Sequence, residues 1–174
     1  MKKLRKNKLM ALSKEYTLTS AMDQAMRFLA PRFLSRLELT QKLQRKGVPS
    51  DLINQVLQRL EELDYINDER LAHDALQLYI SEAKYSVQYI RNKLYQRGLA
   101  IGNELSLYDE SEPALRLVVR HFVGVDAAAQ AEWFDEPWPD EARIEYKKIF
   151  NYLKNRGFSA GTIRTICDMA ARYE

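Results

Sequence analysis

The sequence predicts an all-α protein, three tandem three-helix modules stacked as an elongated, curved helical repeat. Three observations predict it. The 174 residues include only six glycines and five prolines, too few for the turns of a β-sandwich or barrel. A phrase returns three times, as LQRKGVPSDLI at 43–53, LYQRGLAIGNE at 94–104 and LKNRGFSAGTI at 153–163. Apolar residues ahead of each phrase recur at helical spacing.

Aligned on Gly47, Gly98 and Gly157, the phrases share Leu43, Leu94 and Leu153 four residues upstream, and Leu39, Ile90 and Ile149 eight upstream. Spacings of four and eight put these side chains on one stripe of a helix. Lys46, Arg97 or Arg156 precedes the glycine, and Val48, Leu99 or Phe158 follows it. A cation in the last turn suits the negative end of the helix dipole, and glycine takes the left-handed C′ conformation without a Cβ clash.

The elements then fall in order. Ser20 or a neighbour caps MDQAMRFLAPR, and Pro49-Ser50-Asp51 starts the helix after the first glycine. Asn67 caps DERLAHDALQLYISEA, with Leu71, Ala75 and Leu78 expected on one face. Ala100-Ile101-Gly102-Asn103 offers no clean cap, and Glu104 stands where the other phrases have Ile53 and Ile163, so this third helix is expected to be short or shifted. Pro113 suits the first turn of ALRLVVRHFVG, and Ser159 starts the last helix. The expected organisation is a basic N-terminal extension (1–18) and modules at 19–66, 67–111 and 112–174, the last with an acidic insertion near 124–141. Such units bury little core alone and stack for stability.

The formal net charge of +3 conceals an asymmetry: residues 109–145 hold ten acidic and three basic side chains, and the first fourteen residues hold six basic ones and no acid. Basic ends flanking an acidic stretch suggest an anionic partner for part of the surface and something different for the middle; the alternative is a solvated tail plus an acidic loop. One cysteine, Cys167, precludes an intramolecular disulfide and fits a reducing, cytoplasmic setting. The N-terminal apolar core Leu9–Leu12 is too short for a secretory signal, and no run is long enough to span a bilayer.

LDYINDERLAHDAL (63–76) is similar to the Y-L-D-D-x-x-F-A signature of the RecX family, YIRNKLYQRGL (89–99) to that family's R-I-x-x-E-L-x-x-K-G-I, and NYLKNRGFSAGTI (151–163) to its F-L-x-x-R-G-F. The resemblance covers roughly residues 20–173. Asn67 replaces a second acid, Leu71 an aromatic, and Lys84-Tyr85-Ser86 a glycine-bearing turn. The resemblance implies a small, catalytically inactive bacterial regulator that lies in the groove of the RecA–DNA filament, bridges protomers, and suppresses strand exchange, ATP hydrolysis and co-protease activity, within DNA repair and the SOS response.

Candidate filament or DNA contacts are Arg91, Lys93 and Arg97 on the second helix of module two, Lys154 and Arg156 in module three, and Arg45 and Lys46, with Lys42 nearby, in module one. Such cations position a protein on phosphate without reading base sequence; the alternative is a solvated helix end. Tyr85, Tyr89 and Tyr95 would stack bases or, as the stronger reading, finish a core. Tyr65, Asp68 and Arg70 are expected to be structural, with Asp68 in a first helical turn and Tyr65 packing between repeats. Trp133 and Trp138 are candidate protein anchors or, equally, pin the insertion onto the third module.

His73, His121 and Cys167 lie on different segments and form no metal or triad pattern, and there is no phosphate-binding glycine loop. No enzyme activity, cofactor or metal is expected. The favoured function is modulation, chiefly inhibition, of RecA by a monomeric protein that meets DNA weakly or through the filament. The alternative is a helical-repeat DNA-binding protein acting without a recombinase; a general scaffold is a third reading.

Overall fold

The computed structural model describes residues 16–124 and 143–172. The basic extension before Tyr16, residues 125–142 of the acidic insertion, and Trp133 and Trp138 therefore lie outside the described residues. Among those described, the chain is an all-α repeat with eight α-helices and one two-residue parallel strand pair, Ile144–Glu145 (β1) with Ala171–Arg172 (β2). Two compact units result. One holds the residues up to Leu71 together with Arg97–Leu99; the other holds Ala72–Gln96 and the residues from Ala100 onward.

In the first unit, α1 (Leu18–Leu29) starts at Thr17, whose hydroxyl accepts the Ser20 N–H while Ser20 Oγ accepts the Thr17 N–H. Ser20 is thus the third residue of a capping box, and the helix begins slightly earlier than a Ser20 cap would place it. Ser35 and Glu38 form a second capping box at the head of α2 (Arg36–Arg45). The following helix, α3 (Ser50–Glu62), opens behind Pro49 without a side-chain cap bond. The core joins Ala21, Ala25, Leu34, Leu39, Leu43, Val48, Ile53, Val56, Leu57, Leu60 and Ile66.

Asn67 caps α4 (Asp68–Ser81) by accepting the Arg70 N–H at 2.9 Å. Its buried face is Ala72, Ala75 and Leu76, while Leu78 is well exposed. The inward face is therefore rotated from the expected stripe of Leu71, Ala75 and Leu78, because α4 carries apolar side chains on more than one face and packing selects the one centred on Ala72 and Leu76.

Within the second unit, α5 (Val87–Gln96) is headed by Ser86 and buries Ile90 and Leu94. In place of the expected short third helix of this module stands a four-residue 3₁₀ turn, Glu104–Leu107, which buries Leu105 instead of position 104. Pro113 sits in the first turn of α6 (Ser111–Val118), which continues as a wider turn over Val119–Val123, closed by the Gly124 N–H on the Val119 carbonyl. Then come α7 (Tyr146–Lys154) and α8 (Ala160–Ala170), the latter capped by Ser159, which accepts the Thr162 N–H. Their core includes Ala114, Leu115, Val118, Ile149, Leu153, Phe158, Ile163, Ile166 and Cys167.

The stripe read from the repeats is inside throughout. Leu39, Leu43, Ile90, Leu94, Ile149 and Leu153 are all fully buried, each contributing about 1.5–3 kcal/mol of apolar transfer relative to exposure. Gly47, Gly98 and Gly157 all have φ between +73° and +80°. Around Gly47 and Gly157 the amides of Gly47 and Val48, and of Gly157 and Phe158, close back on α2 and α7, giving two Schellman endings.

Candidate functional site

The three cation–glycine turns share a second feature. The backbone carbonyl of each cation accepts a hydroxyl: Lys46 from Tyr16 at 3.1 Å, Arg97 from Ser35, and Arg156 from Ser86 at 2.8 Å. Ser35 and Ser86 also cap α2 and α5, accepting the N–H groups of Glu38 and Tyr89. Each buried serine thus completes a helix start and receives the turn of the next repeat. The residue after each serine donates its N–H to an acid further along the chain: Arg36 to Asp68 at 2.9 Å, Val87 to Glu110 at 2.8 Å.

Glu110 is 6% exposed. One carboxylate oxygen accepts the Val87 N–H, and the other accepts the Ser159 N–H and the Thr162 hydroxyl, at 2.8–2.9 Å. It holds the starts of α5 and α8 together by charge-assisted bonds near two helix N-termini. Sequence reading counted Glu110 only within the acidic stretch. Its signal was its place directly before Ser111-Glu112-Pro113, at the head of a helix.

Arg97 points inward. Its side chain is 23% exposed and pairs with Glu38 at 3.3 Å. Burial works against ionisation of Glu38, but the Ser35 N–H and the guanidinium groups of Arg32 and Arg97 outweigh it and hold its carboxyl below the ordinary value of 4.5. The pairing therefore stabilises the fold above the ordinary carboxylate range and loses that contribution as pH falls through the lowered value.

The other expected contacts are distributed as follows. Arg45, Lys46, Arg91, Lys154 and Arg156 are exposed, and Lys42 and Lys93 half-buried. Several cations lie over aromatic rings: Lys42 over Phe28 at 5.2 Å, Lys93 over Tyr89 at 5.4 Å, Lys154 over Phe150 at 5.6 Å and Arg156 over Tyr152 at 3.6 Å. The structure brings Lys93, Lys154 and Arg156 into the second unit, whereas Arg45, Lys46 and Arg97 belong to the first. Asp68 lies in the first turn of α4, Arg70 pairs with Asp64 at 2.6 Å, and Tyr65 is about half exposed. Asp64 holds a positive φ of 57°, a conformation Asp tolerates, and its carboxyl is lowered by Arg70 and Asn67.

Tyr85 and Tyr89 stack with ring centres 4.6 Å apart, and Tyr79 meets both edge-on. They are half-buried, whereas Tyr95 is 83% exposed. Tyr108 donates its hydroxyl to the Tyr85 carbonyl, and burial, with Glu110, Glu112 and Asp109 nearby, pushes its pKa up to about 12. The turn that lacks the family's glycine is formed with Ala83 at φ 44°.

A cavity of about 480 Å³ opens beside this stack, between the start of α5 and the α7–α8 turn. Tyr85, Tyr89, Leu117 and Phe158 supply its apolar lining, and Lys84, Arg156, Gln88, Asn92 and Asn155 its polar lining. Sequence reading missed Lys84, Gln88 and Asn92. Their i, i+4 spacing, one position before the tyrosines at 85 and 89, was the available signal. His121 stacks on Tyr152 at 4.3 Å, and His73 is exposed on α4. Among the described residues, no group of three His, Cys, Asp or Glu side chains is placed to hold a metal ion.

These features define an all-helical repeat protein with hydroxyl-to-carbonyl joints and a polar, aromatic cavity. Residues 21–60 match the family model described as RecX, first three-helix domain. The chain is 42% identical over 150 residues to the regulatory protein RecX of Ectopseudomonas mendocina, covering 80% of this chain and 87% of that protein. It is 32% identical over 149 residues to the regulatory protein RecX of Chlorobaculum tepidum, covering 84% and 85%. The crystal structure of RecX from Lactobacillus salivarius shares the fold, with a TM-score of 0.63 at 20% identity over 87% of this chain and 94% of that one. The chain belongs to the RecX family of regulatory proteins.

Proposed function

We propose that this protein is a nonenzymatic cytoplasmic regulator that binds RecA–DNA filaments in their groove and inhibits the recombinase, ATPase and co-protease activities of RecA. Family membership carries the reading. The three tandem modules, at 19–66, 67–111 and 112–174, would present their second-helix ends to the filament. Arg91, Lys93, Lys154 and Arg156, with Arg45 and Lys46, supply cations for acidic protein surface or phosphate. Arg97 contributes to the joint through its carbonyl and its pair with Glu38. Tyr65, Asp68 and Arg70 serve the structure. The acidic stretch would meet basic recombinase surface or limit binding to bare DNA.

The test is the single-strand-DNA-dependent ATP hydrolysis of the cognate RecA, with this protein titrated well below one copy per recombinase. The proposal expects inhibition at such ratios, as a filament-capping or filament-disrupting protein gives. No effect at excess, with both proteins folded, would overturn it.

A further inference from the structure

The cavity beside the Tyr85–Tyr89 stack has a chemistry that phosphate contacts alone do not require. Its lining contains two cations, Lys84 and Arg156, and no carboxylate. Lys84 keeps Glu82 at 3.2 Å, just outside the cavity, while Arg156 lies over Tyr152 and donates to the Tyr152 carbonyl, leaving other guanidinium N–H groups for a ligand. Three carboxamides, Gln88, Asn92 and Asn155, offer donors and acceptors of the kind that read base edges, and Gln88 already donates to Asn92 at 2.9 Å. Aromatic rings line the same space. The volume of about 480 Å³ lies within the range of about 300–1,000 Å³ usual for small-molecule sites. A lone acidic side chain would use the cations and leave the carboxamides and rings without a role.

We propose that this cavity is a nucleotide site, taking one base-sugar-phosphate unit with its phosphate on Lys84 and Arg156 and its base along the carboxamides and the edges of Tyr85 and Tyr89, whose faces are taken by each other, by Lys84 and by Lys93. The unit is either one residue of a single strand or a free mononucleotide. The inference rests on the regulatory reading above for its setting, and its test contains no recombinase, so its failure leaves that reading standing.

The test is fluorescence anisotropy of the full chain with a labelled short oligothymidine, repeated with an abasic strand of equal length and with thymidine monophosphate or a polyglutamate peptide as competitor. The expected result is binding that weakens about tenfold without bases, as loss of base-edge hydrogen bonds to the carboxamides would give. Arg156→Gln and Asn92→Ala, at exposed positions and with unchanged thermal melting, should each weaken oligothymidine binding about fivefold or more. Asn92→Ala should also narrow the gap between the oligothymidine and abasic strands. An iodouracil-bearing strand should photocrosslink to Tyr85 or Tyr89. Displacement by the monophosphate assigns the site to free nucleotide; retention of the strand assigns it to polymer. Absence of binding, equal affinity for the abasic strand, unchanged affinity in both variants, or displacement by polyglutamate as effective as by unlabelled oligothymidine would each overturn the proposal.

Discussion

Ser86 donates its hydroxyl to the carbonyl of Arg156, 70 residues further on, at 2.8 Å, and accepts the Tyr89 N–H at 3.1 Å. One fully buried oxygen therefore starts α5 and seats the turn between α7 and α8. Ser86→Ala removes both bonds and leaves the Arg156 carbonyl without this donor. We expect a loss of about 1–3 kcal/mol in urea unfolding. A change below a few tenths would mean that the joint contributes nothing.

The three repeat glycines should not respond equally to alanine. All have positive φ, so each substitution is strained by about 1–2 kcal/mol. A Cβ at Gly47 would meet open space, but one at Gly98 would lie 2.7 Å from Leu37 Cβ. Gly98→Ala should therefore cost about 1–3 kcal/mol more than Gly47→Ala, the range for overpacking. Equal midpoints in denaturant titrations of the two variants would contradict the close approach.

Glu110→Ala should be among the costliest single changes outside the apolar core. It strips the Val87 and Ser159 amides and the Thr162 hydroxyl of one shared acceptor. The expected destabilisation is about 2–4 kcal/mol. Amide hydrogen exchange should quicken at Val87 and Ser159 together; faster exchange at only one of them would show that Glu110 does not join the two helix starts.

Cys167 is fully buried, and desolvation, with Asp168 adding to it, pushes its thiol up to about 11. Only the thiolate reacts with alkylating reagents. At pH 8 the native protein should therefore react with iodoacetamide far more slowly than the urea-unfolded chain, with the rate rising in step with unfolding. Equal rates in native and unfolded protein would contradict its burial.

The helical repeat was legible because local chemistry and packing agree at the same positions. Leu39, Leu43 and their counterparts recur at four-residue spacing and fall inside, and the glycines that punctuate the sequence take the left-handed conformation that punctuation implies. Leu78 misled because α4 carries apolar residues on more than one face. The site was less legible. Arg97 and Arg156 occupy the same place in the repeated phrase, yet one side chain pairs with Glu38 while the other is exposed at a cavity. That difference depends on what the preceding repeat offers: Glu38 stands three residues after Ser35, and Tyr89 three after Ser86. The Ser86–Arg156 and Val87–Glu110 bonds join residues 70 and 23 apart, beyond the reach of local periodicity.

Within the cation–glycine turns, backbone carbonyls and glycines hold repeats together, and the proposed function gives the cationic side chains the partner contact. The most direct measurement is inhibition of RecA ATP hydrolysis by the Lys93→Glu, Lys154→Glu, Arg156→Glu triple variant beside the unsubstituted protein. The account predicts an unchanged far-ultraviolet circular dichroism spectrum, a midpoint of unfolding within a few degrees, and inhibition about tenfold or more weaker, as reversal of contacting charges gives. A folded triple variant that inhibits as strongly as the unsubstituted chain would contradict it.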